Sequence, residues 1–298
     1  MTLIQLEYFL HAAEHVNVSA GARAAHVTQP AVSKQVRLLE KELGCPLFVR
    51  SKNRLMLTEE GVLLQRNARD LLSRAGAVRD LFHTRTRRVC GRITVGCSAS
   101  SARQILPEVL KRMLTDYPDV HVAVEEMDWR EAHHKLLDRE IDVAIGLEMT
   151  GDAALIFTPL IESRLIFIQA SAMRGRATAK RVSAAELAGL PFVAYPEDNI
   201  LWQRFLSGYP LASLRTVVKS RFTETVLAYV RSGMGVAVVP EYLVAWSPES
   251  RREIRCRELD RNLPVRFGYN TNRDHILSLA LRVFLERLTE RVRAADVP

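Results

Sequence analysis

The chain of 298 residues contains no stretch of eighteen apolar residues, so no segment reads as a membrane-spanning helix and no membrane partner is expected. Its start, Met1-Thr2-Leu3-Ile4-Gln5-Leu6-Glu7, has no basic residues followed by an apolar block, so no secretory signal is expected. Cysteine is scarce. Cys45, Cys90, Cys97 and Cys256 are scattered and form no CxxC pair, which points to a reduced, cytoplasmic protein. There is no low-complexity tract and no internal repeat, which argues against an array or a long disordered tail. What is present is an ordinary globular composition, 48% apolar, in a chain long enough for two or more domains.

Charge is unevenly spread. The net charge is +8. Residues 1–89 hold 14 Lys+Arg against 8 Asp+Glu, a net +6, and the remainder carries only +2. A basic head on a near-neutral body fits a polyanion-binding domain attached to a domain with another task.

Residues 3–15 form an amphipathic helix with Leu3, Leu6, Phe9, Leu10 and Ala13 on one stripe, and residues 18–27 read as a short second helix. Residues 28–43 form the third. Pro30 suits a first turn, Gly44 suits the position past the end, and Val32, Val36, Leu39 and Leu43 share a stripe. Gln29, Ser33 and Arg37, with Lys34 beside them, make a polar and cationic second face. From the residues alone, that face is either a solvated surface or a DNA-reading one. The short turn before this helix makes a helix-turn-helix. Two apolar runs follow around a turn bearing Arg50, Lys52 and Arg54, a hairpin wing whose cationic tip suits phosphates or a minor groove. Thr58 can cap a long helix whose Leu64, Ala68, Leu71, Ala75, Val78 and Phe82 repeat like heptads. That seam is read as a dimerisation face in preference to packing within the chain. A basic linker, residues 83–88, follows.

From residue 90 strands and helices alternate. Strands are expected at residues 92–96, 120–124 and 141–146, with helices between them at about 102–117 and 129–139, a βαβαβ run with a parallel sheet. Further strands are expected at 165–169, 191–194, 214–218, 235–240 and 265–269, with helices near 201–206, 223–231 and 276–292. Two α/β lobes joined by crossing strands would leave a cleft between them.

The run Ala24-Ala25-His26-Val27-Thr28-Gln29-Pro30-Ala31-Val32-Ser33-Lys34-Gln35-Val36-Arg37-Leu38-Leu39-Glu40, continuing through Leu43-Gly44, Leu47-Phe48-Val49-Arg50 and Leu57-Thr58-Glu59-Glu60-Gly61, resembles the LysR-type transcriptional regulators. Weaker echoes lie at residues 141–145 and 233–240. The match departs near Glu140, where the family often has glycine. The resemblance implies an N-terminal all-α winged helix-turn-helix, a linker helix that dimerises, and a two-lobed α/β effector domain similar to periplasmic binding proteins. It places the first domain at residues 1–58 and the linker at 59–89. The effector domain is 90–298, with lobe I at about 90–162 plus 267–298 and lobe II at about 163–266. It implies a homodimer that assembles into a tetramer, double-stranded operator DNA with dyad-related sites, a small-molecule effector, RNA polymerase as partner if the protein activates, and no cofactor.

On this resemblance Gln29, Pro30, Ser33, Lys34 and Arg37 face DNA. Gln29 would pair with adenine and Arg37 with guanine or phosphate, while Thr28 at the helix start would hold a phosphate. For the effector, Ser98, Ser100 and Ser101 offer hydroxyls and backbone N–H groups to a small anion. Plain helix capping is the alternative. Trp129 would stack on a planar ligand or fill the pocket. Tyr195, Trp202 and Thr223 are expected from the second lobe, with Phe222 in the core.

Other classes fit less well. A periplasmic solute-binding protein would have no use for the cationic helix-turn-helix. No enzyme is indicated. Glu125-Glu126 point to opposite strand faces, His133, His134 and Asp138 lack enough ligands for a metal, and Gly233-Met234-Gly235 lacks the context of a dinucleotide loop. Some LysR-type proteins switch by a disulfide in the second lobe, but here that lobe has only Cys256, and Cys90 and Cys97 sit at opposite ends of one strand.

Overall fold

The computed structural model describes residues 1–15, 21–23, 25, 27–51, 54–83, 89–149, 151–173, 180–209 and 214–294. Lys52 and residues 16–20, 24, 26 and 84–88 lie outside them, as do the side chains of Arg50, Arg54 and Phe82. The chain divides into two compact units, Met1–Val89 with the short segments Asp138–Glu140 and Asp274–Leu279, and the rest.

In the first unit, α1 (Leu3–Glu14) starts from a capping box: Gln5 N donates to Thr2 Oγ1 and Thr2 N donates to Gln5 Oε1. It buries Leu6, Phe9, Leu10 and Ala13, whereas Leu3, expected on that stripe, stays 37% exposed at the first turn. Helix α2 (Gln29–Leu43) starts at Thr28 and ends at Gly44, whose φ of 73° is the left-handed region glycine enters without strain. Val32, Val36 and Leu39 are buried, and Leu43 in the last turn is not. The expected hairpin forms from β1 (Phe48–Ser51) and β2 (Arg54–Leu57), with Phe48 opposite Leu57. The Glu40 carboxylate accepts from Leu47 N and Phe48 N, so α2 holds the base of the wing directly. Helix α3 (Glu59–His83) opens with Gly61 N donating to Thr58 Oγ1. Its seam divides. Ala68 is buried in the unit's own core, with Leu64 and Leu72 against it, while Leu63, Leu71 and Val78 are exposed.

The second unit is a curled mixed sheet with helices around it. It begins with β3 (Gly91–Cys97), α4 (Ala99–Gln104), α5 (Leu106–Asp116), β4 (Val120–Glu126), α6 (Trp129–Leu137) and β5 (Val143–Leu147). β3 pairs in parallel with β4 and β5, as the βαβαβ pattern requires. The single helix expected from about residue 102 to Tyr117 is two, interrupted at Ile105 before Pro107. Asp142 fastens β5 to β3, its Oδ2 accepting from Thr94 N and its own N–H donating to Thr94 O. The turn before it is left-handed at Arg139, φ 56°, next to the Glu140 where the family pattern departs.

The sixteen-residue strand β6 (Leu155–Ala170) then crosses from one lobe to the other. The rest of the chain is β7 (Arg181–Val182), α7 (Ala184–Ala188), β8 (Pro191–Ala194), α8 (Ile200–Gly208), β9 (Arg215–Lys219), α9 (Thr223–Arg231), β10 (Ala237–Pro240), α10 (Glu241–Trp246), α11 (Pro248–Glu253), β11 (Ile254–Leu259), β12 (Pro264–Asn272) and α12 (Leu279–Ala294). The early part of β6 pairs with β12, which also pairs with β5, and its late part pairs with β10 and β11. Two strands thus connect the lobes. Asn270 on β12 is fully buried, and its amide accepts from Met149 N and donates to Leu147 O, which fixes the chain just beyond β5.

Candidate DNA-contact surface and effector cleft

On α2 the buried Val32, Val36 and Leu39 fix which side turns outward. Gln29, Pro30, Lys34 and Arg37 are exposed on it and Ser33 is half-buried. Arg37 Nε lies along the helix and donates to Ser33 O at 3.2 Å. Thr28 is the N-cap residue, but its side chain makes no capping bond, which leaves the hydroxyl available to a phosphate at the helix start.

The second unit contains a cleft between its lobes enclosing about 780 Å³ of space, open solvent at the mouth included. Lobe I contributes Cys97, Ser98, Ser100, Met127, Asp128, Trp129, Ala132 and the chain around Ile145 to Met149. Lobe II contributes Asn199, Leu201, Arg221, Phe222, Thr223, Tyr242 and Leu243. The wall is mainly apolar with few polar groups, the usual make-up of a small-molecule site. Its charged groups are Asp128 and Arg221, one from each lobe.

The expected effector residues divide. Ser98, Ser100, Trp129 and Thr223 line the cleft. Ser101 does not: it lies buried inside α4, its N–H donating to Ser98 Oγ and its hydroxyl 3.2 Å from that same oxygen, so helix capping occupies this pair. Tyr195 is fully packed behind the wall and donates to Thr223 Oγ1 at 3.1 Å; burial drives its phenol pKa up. That bond directs Thr223 without exposing the tyrosine. Trp202 is also off the wall, packed with Phe192 and Phe205 in the lobe II core. Phe222, expected in the core, is 52% exposed and lines the cleft, because it is the N-cap residue of α9 at the lobe edge. Asp128, Asn199, Arg221 and Tyr242 were missed by the sequence reading. Asp128 and Asn199 carry a signal that marks helix starts, since Asp128 Oδ1 accepts from Arg130 N and Glu131 N, and Asn199 Oδ1 from Leu201 N and Trp202 N. Burial raises the Tyr242 phenol as well, and Tyr195 nearby adds to the effect.

No group of three or more His, Cys, Asp and Glu suited to a metal occurs among the described residues. His133 pairs with Asp152, at 3.3 Å. Gly233 closes the end of α9 with φ 79°, a helix stop and not a dinucleotide loop.

A winged helix-turn-helix joined to a two-lobed binding fold defines a DNA-binding regulator that responds to a ligand. Residues 3–62 match the family of bacterial regulatory helix-turn-helix proteins of the lysR family, and residues 86–293 match the LysR substrate binding domain. The chain belongs to the LysR family of transcriptional regulators and is not an enzyme. It is 28% identical over 276 residues to the HTH-type transcriptional activator IlvY of Salmonella typhimurium, covering 90% of this chain and 92% of that one. It is 30% identical over 251 residues to the HTH-type transcriptional regulator CysB of Haemophilus influenzae, covering 80% and 75%. Its fold resembles a full-length OxyR variant from Pseudomonas aeruginosa, with TM-score 0.79, 24% identity and coverage of 100% and 96%. It also resembles CbnR complexed with its target DNA, with TM-score 0.62, 22% identity and coverage of 99% and 100%. No described helix is long and apolar enough to cross a membrane.

Proposed function

We propose that residues 1–58 bind operator DNA, with Thr28, Gln29, Pro30, Ser33, Lys34 and Arg37 of α2 and the wing residues Arg50, Lys52 and Arg54 as the contacts. Residues 59–89 link and dimerise, using the exposed Leu63, Leu71 and Val78 of α3. Residues 90–298 bind a small anionic effector, with Ser98, Ser100, Trp129 and Thr223 joined by Asn199, Arg221 and Tyr242. The working form is a cytoplasmic homotetramer on a dyad-related operator, in contact with RNA polymerase where it activates.

The observation that carries the effector reading is the cleft itself, walled by both lobes and crossed by β6 and β12. A ligand gripping both walls prefers one lobe arrangement, and only such a preference can change DNA binding. Gly146 provides the test. It lines the cleft, and a Cβ built there meets nothing within 4 Å, so a larger side chain enters the space without pushing β5. Small carboxylates that raise the melting temperature of the full chain should bind Gly146→Phe at least about tenfold more weakly, a loss of about 1.4 kcal/mol. The variant should keep its fold and its effector-free DNA binding. Unchanged affinity, measured by calorimetry, would remove the cleft from the mechanism.

The second reading is a thiol switch, and the thiols disfavour it. Burial, with Glu126 adding, pushes the Cys97 thiol up to about 12. Cys256 is exposed as a residue, and local desolvation of its sulfur, with Glu241 adding, pushes its thiol up to about 11. Peroxide reacts with the thiolate, which is scarce at neutral pH in both. Peroxide treatment should leave the operator footprint unchanged. A footprint change that disappears in the Cys90→Ser, Cys97→Ser, Cys256→Ser variant would establish the switch instead.

A further inference from the structure

The two charged residues of the cleft wall are bonded to each other. Arg221, just before α9 in lobe II, donates from Nη1 to Asp128 Oδ2 in lobe I at 3.2 Å. The same nitrogen is 3.6 Å from Asp198 Oδ2 in lobe II, which pairs in turn with Arg130 of lobe I at 2.9 Å. The charges alternate in the order Asp128, Arg221, Asp198, Arg130 and span the gap between lobes twice. A further tie, Arg103 to Glu224, measures 3.8 Å.

We propose that Asp128 is a built-in competitor for the effector: its carboxylate holds the Arg221 guanidinium that an effector carboxylate takes on binding. The inference rests on the effector reading of the cleft and adds the group that recognises the anion. Among the described residues that line the wall Arg221 is the cation, so an anion entering this apolar space finds its charge partner there. Asp128 contacts it through one oxygen and one nitrogen, whereas a free carboxylate can bind the guanidinium fork with both oxygens. The pair lies at a partly exposed edge, with side chains 21% and 41% exposed, where ion pairs are weak and exchange readily.

Neither partner is stranded by the exchange. Asp128 Oδ1 keeps the N–H groups of Arg130 and Glu131 at 2.9 and 3.0 Å, and the side chain is 21% exposed. Arg221 keeps Asp198 beside it. One carboxylate replaces another on the arginine, but the first belongs to the opposite lobe and the second does not. Binding therefore cuts one tie between lobes while filling the space between them. Carboxylates are selected over their amides, and lobe restraint changes only for ligands that displace Asp128.

Chemical rescue tests the exchange without knowing the effector. In full-length Asp128→Ala, sodium acetate should supply the missing carboxylate. It should raise the melting temperature saturably, by about 3 °C at about 0.1 M for a site of about 10 mM affinity, relative to sodium chloride at equal ionic strength. Asp128→Ser, which retains a capping oxygen for α6, should respond in the same way and serves if the alanine variant folds poorly. Wild type should shift less, acetamide should not act, and adding Arg221→Gln should abolish the response. An equal acetate shift with and without Arg221→Gln overturns the proposal, as does no shift in either Asp128 variant, or ethylammonium acting where acetate does not. Failed rescue alongside a cleft ligand that Gly146→Phe excludes sinks only the exchange. Successful rescue alongside a ligand indifferent to Gly146→Phe sinks the effector reading and leaves Arg221 as a carboxylate site.

Discussion

Replacing Gly61 with alanine should lower operator affinity by at least about tenfold and melt the DNA-binding unit several degrees earlier, while ligand binding in the second unit persists. Gly61 lies in the first turn of α3, where that helix seats on the wing. A Cβ there would lie 2.2 Å from Leu47 O and 3.0 Å from a Leu57 methyl. The oxygen cannot move aside. Leu47 is fully buried, its carbonyl accepts from Thr58 N at 3.0 Å, and its N–H is held by Glu40 of α2. Relief therefore requires α3 to lift or the wing to shift, and forcing one extra carbon into such packing costs about 1–3 kcal/mol. Thr58→Ala should be milder. It loses the hydroxyl that donates to Pro46 O and accepts from Gly61 N, a cap worth about 1 kcal/mol. Differential scanning calorimetry and a gel shift on the full chain check both. Wild-type melting and affinity in Gly61→Ala would refute the seating argument.

This glycine also shows why the N-terminal part of the chain was so legible. Each feature there is local: Pro30 and Gly44 bound one helix, Thr58 caps the next, and the stripe of Val32, Val36 and Leu39 is read directly from spacing. The alternation after residue 90 gave the parallel strands for the same reason. The strand across both lobes was half read, since residues 165–168 are a buried apolar run, while the ten residues before them mix polar and apolar groups on an edge-like pattern. α10 and α11 were missed because six residues are too few to show a helical period.

The cleft was less legible because its walls come from distant parts of the chain. Asp128 and Arg221 are 93 residues apart and meet only because β6 and β12 bring the lobes together. Aromatic residues misled in the other direction. Trp202 was expected on the cleft wall, yet it packs against Phe205, and Phe205 stacks on Tyr209, one turn after another along α8 into the lobe II core. Hydroxyls misled as well: Ser98 and Ser101 satisfy each other, and of the serine run only Ser98 and Ser100 reach the wall.

Gln29→Ala should weaken binding to the specific operator by about 5- to 150-fold and binding to random DNA by less than about twofold. Gln29 is exposed in the first turn of α2, flanking the buried stripe of Val32, Val36 and Leu39 without joining it, so its truncation leaves the core intact. A glutamine amide presents a donor and an acceptor together, which matches the N6 and N7 edge of adenine. Such a two-point contact discriminates by about 1–3 kcal/mol. Phosphate contacts carry no such information, so loss of a base reader leaves non-specific affinity and its salt dependence in place. Arg37→Ala separates the two roles. Its guanidinium donates to Ser33 O, a bond that contact with DNA would have to break. If it holds a phosphate, both DNAs lose affinity alike and the slope of log affinity against log salt falls by about one. If it reads guanine, the loss concentrates on the operator. Titrations of operator and scrambled duplex at several salt concentrations decide the matter. Equal losses on the two DNAs for Gln29→Ala would mean that this face of α2 holds the backbone and that the bases are read elsewhere.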